Sequence, residues 1–279
     1  MQFFYVLEAD QIAKLQQNGI IDLNIKDTSL NDYYIFMNSD TKILVKKIGK
    51  TSYQAIRYKN PIQAVDPKDA RQSALVHALT QTNAPLVVVL GTAGTGKTFL
   101  TTAYAMYEYD KSDKKLFFSK AAIPVGKGRA FGPVPGDVQE KYAPFLDSFK
   151  IVLQKILGEK SKSYIEFLMS KSILQYQPIE FVRGNTYEKS TFILDECQNL
   201  TWHELKTVIS RIGDDCRLIL LGDLGQSDLN LKNEKSGIEI LINSEVFKDS
   251  EHTCLINLQK QYRGPLADLV YNIDQENAK

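Results

Sequence analysis

Short runs of β-branched and aromatic residues alternate with polar turns over the first 65 residues. The runs lie at 32–37, 42–46 and 52–57. The segments between them are rich in Asn, Ser, Asp and Gly, which are residues that favour turns. A short helix is predicted before them, at 8–18. The pattern therefore predicts a small, β-rich and mainly antiparallel N-terminal region over residues 1–65.

The pattern changes at residue 66. An apolar run at 86–90 is bounded by glycine, and three similar runs follow at 115–118, 190–194 and 217–221. Helices are predicted before and between these runs, at 69–79, 98–109, 144–157, 164–174 and 202–212. Apolar strands that alternate with helices are typical of a parallel sheet covered on both faces. The sequence thus predicts an α/β domain with a mainly parallel sheet over residues 66–279.

Composition and charge exclude several classes of function but add little to the predicted fold. The 279 residues are 43% hydrophobic and 24% charged, which is ordinary for a folded protein. Lys and Arg number 34 against 33 Asp and Glu, so the net charge is +1 and any contact with nucleic acid must be local. The three cysteines match no zinc or disulfide spacing, and no apolar run approaches 18 residues. We therefore expect a cytoplasmic protein without a membrane-spanning segment.

The strand predicted at 86–90 leads into a glycine-rich motif. Its sequence is Gly91-Thr92-Ala93-Gly94-Thr95-Gly96-Lys97-Thr98, which fits the phosphate-binding pattern Gly-x-x-x-x-Gly-Lys-Ser/Thr. The glycines allow consecutive main-chain N–H groups to point at nucleotide phosphates, at the N-terminus of the next helix. Lys97 is expected to reach the β- and γ-phosphates, and the Thr98 hydroxyl to bind Mg²⁺. The flanking strand and helix make a simple glycine-rich turn the weaker interpretation.

A pair of acids ends the strand predicted at 190–194. We expect Asp195, at the tip of a strand that neighbours the phosphate loop, to hold Mg²⁺ through its waters. Glu196 is then placed to polarise the water that attacks the γ-phosphate, which suits a hydrolase better than a metabolite kinase. The alternative is that both acids only begin the next helix, where negative charge is favourable.

A polar turn follows the strand predicted at 217–221, with the sequence Gly222-Asp223-Leu224-Gly225-Gln226. A neutral amide beside the metal-binding strand can bond to the γ-phosphate or the attacking water, and its surroundings change when that phosphate leaves. We therefore expect Gln226 to sense the γ-phosphate. On its own the segment would be an ordinary glycine-rich turn, and the order of the motifs is what favours a sensor.

Taken together, these motifs resemble the PhoH-like proteins of bacteria and bacteriophages. The resemblance covers residues 66–279 and is carried by segments that recur in one order, at 91–98, 181–186, 193–199, 211–213 and 222–229. The segment 131–137 and the pair Ser236-Gly237 are also similar to motifs of the family. The resemblance implies a RecA-like P-loop ATPase core related to superfamily 1 helicases. It also implies Mg²⁺-dependent ATP hydrolysis, a role linked to RNA or single-stranded DNA, and a hexameric ring.

The resemblance assigns roles to residues outside the phosphate loop. Gln72 occupies the place where related helicases read adenine, which would favour ATP over GTP. Arg263 ends the segment Leu258-Gln259-Lys260-Gln261-Tyr262-Arg263, which is similar to the helicase segment whose arginine meets the γ-phosphate. Arg183 and Arg211 are alternative arginine fingers, and each of the three arginines can instead form a purely structural ion pair.

A glycine-rich stretch after the second strand of the domain carries Lys120, Lys127, Arg129 and Phe131. Basic side chains near an aromatic ring can follow a nucleic-acid backbone and stack on a base. Where the family usually has Thr-Arg-Pro, this chain has Ser119-Lys120-Ala121, which keeps the charge without the guanidinium group. A solvated loop remains an equal alternative.

The leading hypothesis is an ATPase coupled to binding, unwinding or translocation of RNA or single-stranded DNA. With one core per chain, the missing wall of the ATP site would come from another subunit of a ring. The alternative is a nucleotide-dependent switch that hydrolyses ATP slowly and binds a protein partner. A phosphotransferase is less favoured because the sequence shows no separate arginine-rich lid.

Overall fold

The structure is a computed structural model. It describes residues 3–121, 138–158, 161–227, 229, 234–262, 264, 269, 273 and 276. Within the helix that begins at residue 138, the side chains of 138–146 and 148 lie outside this description.

The N-terminal region forms a five-stranded sheet with one helix against it. Its strands are β1 (Phe4–Val6), β2 (Ile20–Asp22), β3 (Tyr33–Met37), β4 (Lys42–Lys47) and β5 (Ser52–Ala55), and its helix is α1 (Ala9–Asn18). The strand order is β1-β3-β4-β5-β2, in which only the β1–β3 pair is parallel. Ile12 and Leu15 of α1 pack on Tyr34, Phe36 and Tyr53 of the sheet. The prediction of a small, mainly antiparallel region is confirmed.

A six-stranded parallel sheet forms the centre of the rest of the chain. Its strands are β6 (Leu86–Leu90), β7 (Lys115–Lys120), β8 (Leu174–Tyr176), β9 (Ser190–Asp195), β10 (Cys216–Gly222) and β11 (Thr253–Asn257). They lie in the order β11-β6-β10-β9-β7-β8, and every pair is parallel.

Helices cover both faces of this sheet. They are α2 (Ala70–Gln81), α3 (Lys97–Ser112), α4 (Val138–Leu157), α5 (Ser161–Ser170), α6 (Trp202–Ile209), α7 (Gly237–Asn243) and α8 (Glu245–Lys248). Side chains of a strand alternate between faces, so Val87 and Val89 join the core under α2 to α5, whereas Val88 and Leu90 join the core under α6 to α8. The predicted fold class, a parallel α/β sheet with flanking helices and a β-rich N-terminal region, is confirmed.

The strand order corrects one expectation about the site. Asp195 was expected at the tip of a strand next to the one that precedes the phosphate loop, and this is wrong, because β10 lies between β6 and β9. The chain adds β9 beside β7 before β10 returns to fill the space next to β6. Asp195 is therefore two strands away from the loop, while Gly222 ends the strand between them.

Several elements differ from the sequence prediction. The helix predicted at 164–174 ends at Ser170, and Leu174 begins β8 instead. The helix predicted at 202–212 ends at Ile209. The short strands β1 and β2, the edge strand β11 and the helices α7 and α8 were not predicted at all. Most of these elements are too short to show a clear period in the sequence.

The N-terminal region covers the free edge of the parallel sheet at β11. The Leu255 N–H donates to Asp32 Oδ1 at 3.2 Å, and the Leu30 N–H donates to the Lys248 carbonyl at 2.8 Å. The buried Asn31 amide lies 3.0 Å from the Glu251 carbonyl and 3.1 Å from the Thr253 carbonyl. An uncovered strand edge exposes main-chain groups that pair with other chains. Asn31 and Asp32 satisfy two of these groups, the Thr253 carbonyl and the Leu255 N–H.

Two further features concern membrane-spanning helices and cysteines. No helix in the described part of the chain is both long and apolar enough to cross a membrane. Cys197, Cys216 and Cys254 are all buried and unbridged.

We expect the Asn31 contacts to contribute measurably to stability. Asn31 has a φ of 64°, which glycine adopts freely, so Asn31→Gly removes the side-chain bonds without adding backbone strain. Leaving the buried Thr253 carbonyl unpaired should lower the free energy of unfolding by about 1–3 kcal/mol. Urea unfolding followed by circular dichroism measures this loss. Asn185→Ala, which removes an exposed amide bonded to the Phe181 carbonyl, is the control and should change stability by about 0.5 kcal/mol or less. Equal effects would show that residues 30–32 do not hold the sheet edge.

Candidate nucleotide-binding site

The carboxyl ends of β6, β7, β9 and β10 meet at one edge of the sheet, as parallel strands require. A cleft of about 370 Å³ opens there. Its lining residues are Ala93, Gly94, Gly96, Lys97, Thr98, Phe99, Lys120, Val152, Lys155, Asp195, Glu196, Asp223 and Gln226. The structure therefore brings together the glycine-rich loop, both predicted acids and the predicted sensor.

The glycine-rich loop between β6 and α3 has a backbone that depends on glycine at two positions. Gly91 has a φ of 154°, and a Cβ atom there would lie 2.5 Å from the Leu258 carbonyl oxygen. Gly96, with a φ of 95°, is the residue before the first turn of α3. The Thr95 hydroxyl donates to the Thr92 carbonyl at 2.9 Å and closes the loop on itself. The loop thus curls around the N-terminus of α3, where main-chain N–H groups are free to bind an anion.

Lys97 lies across the loop. Its Nζ donates to the Thr92 carbonyl at 3.0 Å and also to the Gly91 carbonyl. Burial lowers the pKa of Lys97, whereas the nearby carboxylates of Asp195, Asp223 and Glu196 raise it. The ammonium group is therefore partly removed from water, which strengthens its attraction for an anion in the cleft, while the neighbouring acids keep it charged.

Thr98 and Asp195 face each other across the cleft. Thr98 Oγ1 lies 3.5 Å from Asp195 Oδ2. Burial, and then the neighbouring Glu196 carboxylate, raise the pKa of Asp195, while Lys120 and Lys97 oppose the change. A buried carboxylate with another acid beside it is stabilised by a cation. A hydroxyl and a carboxylate at this spacing suit a hard divalent cation such as Mg²⁺.

Glu196 has a strained backbone. Its φ of 57° is in the left-handed region, which costs a residue with a side chain about 1–2 kcal/mol. The Glu196 N–H donates to Asp195 Oδ1 at 3.0 Å. This turn brings the side chains of two adjacent residues to the same cleft, although neighbours on a straight strand point to opposite faces. Strain of this kind is often retained at functional sites.

The loop after β10 contributes Asp223 as well as the predicted Gln226. Asp223 is 8% exposed; its Oδ1 accepts the Gly225 N–H at 3.1 Å, and its Oδ2 is a buried oxygen without a hydrogen-bond partner among the described residues. Burial raises the pKa of Asp223, and Lys97 partly offsets this rise. Asp223 was not predicted to have a role. Its position directly at the end of an apolar strand, like that of Asp195, was the signal that indicated one.

The segment after β11 packs over the glycine-rich loop. The Tyr262 N–H donates to the Gly94 carbonyl at 3.0 Å, and the Gln261 amide donates to the Thr92 hydroxyl at 3.2 Å. The Tyr262 hydroxyl donates to Asp69 Oδ2 at 2.7 Å, while the ring remains 39% exposed. Burial, together with Asp69, raises the pKa of Tyr262 to about 12. We call residues 258–262 the P-loop strap.

Gln72 braces the glycine-rich loop from the other side. It is 5% exposed, its Nε2 donates to the Thr95 carbonyl at 3.0 Å, and its Oε1 accepts the Lys68 N–H at 2.8 Å. Both ends of the amide are therefore bonded to the main chain in this structure. A direct contact with adenine stays a prediction and requires the amide to exchange one of these partners.

The three candidate arginine fingers differ in position. Arg263 lies outside the described residues, directly after the P-loop strap. Arg183 is exposed, with Nη2 3.1 Å from His203 Nε2 in the first turn of α6. Arg211 precedes β10, and its carbonyl accepts the Tyr187 N–H at 2.9 Å. The start of β10 is at the amino edge of the sheet, so Arg211 cannot reach the cleft of its own chain.

Lys120 and Lys155 are the basic groups that flank the cleft. Lys120 ends β7 as the direct neighbour of Asp195 across the ladder, so this residue lies at the nucleotide cleft rather than beyond it. Lys127, Arg129 and Phe131, which were predicted to contact nucleic acid, lie outside the described residues. Lys155 was not predicted to have a role. It lies three residues after Val152 on α4, a spacing that brings both side chains to the face of the helix that lines the cleft.

The residues present fit Mg²⁺ rather than a metal held only by protein. Among the described residues, no group of three or more His, Cys, Asp or Glu side chains is placed to hold a metal ion. Mg²⁺ is usually bound by one or two carboxylates, water and substrate phosphates. Asp195, the Thr98 hydroxyl and the unpartnered Oδ2 of Asp223 match that requirement.

The glycine-rich loop follows β6, an acid lies at the end of β9, and a polar turn follows β10, which lies between these two strands. This arrangement defines a P-loop nucleotide-binding protein. The comparison with protein families agrees and is more specific. Residues 64–273 match the PhoH family, described as PhoH-like protein. The chain belongs to the PhoH-like family.

Curated relatives support this assignment. The chain is 30% identical to Protein PhoH2 of Bacillus subtilis (strain 168) over 216 residues, which are 76% of this chain and 48% of the relative. It is 33% identical to a PhoH-like protein of the same organism, over 69% of this chain and 59% of the relative. Protein PhoH of Escherichia coli (strain K12) is 28% identical over 75% of this chain and 58% of its own length. The chain thus spans about half to three fifths of the relatives that it matches.

Helicases are among the similar solved structures. The Pif1 helicase from Candida albicans aligns with 75% of this chain and 44% of its own, at 15% identity and a TM-score of 0.37. The Pif1 helicase from Bacteroides in complex with ADP-AlF3 and ssDNA aligns with 75% of this chain and 46% of its own, at 15% identity and a TM-score of 0.36.

We expect Gly91→Ala to disturb the loop more than an equivalent change elsewhere. The added methyl group collides with the Leu258 carbonyl, so the loop and the P-loop strap must move apart. Such overpacking costs about 1–3 kcal/mol of unfolding free energy. Gly19→Ala is the matched control, because Gly19 also has a positive φ but has open space around its Cα. Urea unfolding of both variants gives the comparison, and equal losses would mean that the close approach at Leu258 has no structural role.

Proposed function

We propose that this protein binds ATP together with Mg²⁺ and hydrolyses the γ-phosphate. The observation that carries the proposal is that one cleft contains Lys97 and Thr98 of the loop together with Asp195 and Glu196. A phosphate-binding loop alone suits a kinase or a switch equally well. A second carboxylate next to the metal-binding acid adds a group that can activate water.

Each residue has a distinct part in the proposed reaction. The Thr98 hydroxyl and Asp195 would hold Mg²⁺, which when bound neutralises negative charge on the phosphates. Lys97 supplies a fixed positive charge to the β- and γ-phosphates. Glu196 accepts a proton from the attacking water, and the Gln226 amide orients that water or bonds to the γ-phosphate. Lys120 and Lys155 add positive charge on the wall formed by β7 and α4.

The base of the nucleotide is proposed to bind near Gln72 and Tyr262. Tyr262 is fixed to the loop through its main-chain N–H, and its ring is partly exposed. A rigid aromatic face next to the loop can stack on a purine. The Gln72 amide, which offers one donor and one acceptor, can read the edge of adenine once it releases a main-chain partner.

The hydrolysis is proposed to be coupled to RNA or single-stranded DNA in a cytoplasmic ring of six chains. An incomplete site supports the part of this proposal in which a residue from outside the described lining completes the cleft, because that lining includes lysines but no arginine. An arginine is effective at stabilising the charge of a transferring phosphoryl group. Arg263 would supply it from the end of the P-loop strap, or Arg183 or Arg211 from a neighbouring subunit. Lys127, Arg129 and Phe131 remain the proposed contacts for the nucleic-acid strand.

Two substitutions test the site directly. Lys97→Ala should abolish binding of a fluorescent ATP analogue, because it removes the cation at the phosphate position. Glu196→Gln should bind the analogue normally but hydrolyse ATP about 10²–10⁴-fold more slowly, because the amide cannot accept the proton. Lys111→Ala and Glu166→Gln are the matched controls, since both residues lie on helices and outside the cleft lining. Unchanged turnover in Glu196→Gln would refute its role as the base.

A steady-state ATPase assay with and without single-stranded RNA or DNA tests the coupling. We expect a low basal rate that rises with polynucleotide, with the effect weakening as salt increases, because the contact is electrostatic. Size-exclusion chromatography with light scattering, run on the same samples, should show an oligomer that carries the activity. ATP binding without stimulation by any polynucleotide would instead favour a nucleotide-dependent switch with a protein partner. An active monomer would contradict the ring.

A further inference from the structure

A buried glutamine connects the proposed base to the loop after β10. Gln198 is 1% exposed and follows Glu196 by two residues. Its Nε2 donates to Glu196 Oε2 at 2.8 Å, and its Oε1 accepts the Asp223 N–H at 3.1 Å. A single amide therefore bonds to a carboxylate on one side of the cleft and to the main chain of the sensor loop on the other.

The main chain at the same residue holds the far end of that loop. The Ser227 hydroxyl donates to the Gln198 carbonyl at 3.1 Å, in a buried position. Asp223 begins the loop, Gln226 is part of it and Ser227 ends it, so Gln198 holds both ends of the segment that carries the proposed sensor. A Cβ atom on Gly222 would lie 3.3 Å from Gln198 Oε1, which shows how closely the amide fits against the end of β10.

This arrangement constrains the position of Glu196. The donor end of the Gln198 amide fixes one carboxylate oxygen, because a buried amide that gave up this bond would leave a polar group unpaired. A shift of the 223–227 loop pulls the acceptor end of the amide with it. Because the amide is planar, its donor end moves as well, and its hydrogen bond to the Glu196 carboxylate breaks or re-forms.

We propose that Gln198 is a positioning residue that couples Glu196 to the loop 223–227. When Gln226 responds to the γ-phosphate, the movement of its loop reaches the base through the Gln198 amide. The proposal rests on the proposed ATP hydrolysis for its purpose, but the coupling itself is a property of the fold. It is therefore measurable without turnover.

The kinetic test uses Gln198→Met, which keeps the length of the side chain but makes neither bond. We expect kcat to fall about 10–100-fold, as is usual when the partner of a reacting group is removed. The KM for ATP and the affinity for a non-hydrolysable analogue should change less than about threefold, because Gln198 does not line the cleft. Ser190→Ala is the control, because it removes a buried side-chain bond to Cys216 at the opposite end of β9 and leaves the Gln198 amide intact. A wild-type kcat in Gln198→Met, or equal losses in both variants, would overturn the proposal.

A second variant separates positioning from a general loss of packing. Gln198→Glu keeps an acceptor for the Asp223 N–H but replaces the neutral donor beside Glu196 with a carboxyl that competes for the same proton. Hydrogen exchange at the Asp223 amide should therefore stay slow in Gln198→Glu and become fast in Gln198→Met, while kcat falls in both. If both variants simply lower the melting temperature and speed exchange throughout the chain, the role is structural and the proposal fails.

The test that does not depend on hydrolysis is a double-mutant cycle on hydrogen exchange. Glu196→Ala should speed exchange of the Asp223 amide, although Glu196 makes no bond to that loop, because the freed Gln198 amide becomes mobile. In the Gln198→Met background the same change should have no further effect. If the wild-type protein shows this coupling but does not hydrolyse ATP, the proposed hydrolysis is refuted and the inference about Gln198 stands. If the effects are additive in a protein that hydrolyses ATP, the inference about Gln198 is refuted and the proposed hydrolysis stands.

Discussion

The site depends on one parallel ladder, formed by β6, β10 and β9. Leu220 of β10 is the direct neighbour of Val88 on one side and of Leu194 on the other, and the Gly91 N–H continues the ladder by donating to the Gly222 carbonyl at 3.1 Å. This register brings the ends of the three strands to one level. The glycine-rich loop, the acids at the end of β9 and the loop after β10 therefore meet without any contact specific to a ligand. A one-residue slip in either pair would move an entire row of side chains to the opposite face of the sheet.

The burial that stabilises this ladder also places charged groups in a partly dry environment. It raises the pKa of Asp195 and Asp223 and lowers that of Lys97, so each charge is maintained mainly by its neighbours. Two acids and the left-handed turn at Glu196 are unfavourable when considered alone. Positive charge entering the cleft would relieve the repulsion between the acids. The same arrangement that costs stability is therefore the one on which the proposed binding of a cation and, through Lys97, of phosphate rests.

The sequence predicts a feature of the fold or the site when that feature depends on residues that are close together in the chain. The phosphate-binding loop is such a feature, because its glycines, Lys97 and Thr98 all lie within residues 91–98. The strands β6 and β9 are recognisable as apolar runs that end at a glycine or an acid. The order of the strands is not such a feature, because no residue of β10, such as Leu218 or Leu220, indicates that this strand lies between β6 and β9. The same limit explains why Gln198 went unnoticed. Its importance comes from a hydrogen bond to a residue 25 positions away, whereas a Gln in a polar turn, taken by itself, is typical of an ordinary surface residue.

The N-terminal region lies outside the family match apart from its last residues, yet it is linked to the site by a continuous series of contacts. Asp32 and Asn31 hold β11 at the edge of the sheet, and β11 leads directly into the P-loop strap. The Leu258 N–H then donates to the Leu90 carbonyl at 2.8 Å, and Tyr262 bonds to Gly94. An edge strand has a neighbour on one side only, so β11 without residues 30–32 would be free to fray. Fraying would release the strap and with it one wall of the loop. The N-terminal sheet is therefore a structural support of the nucleotide site, although none of its described residues lines the cleft.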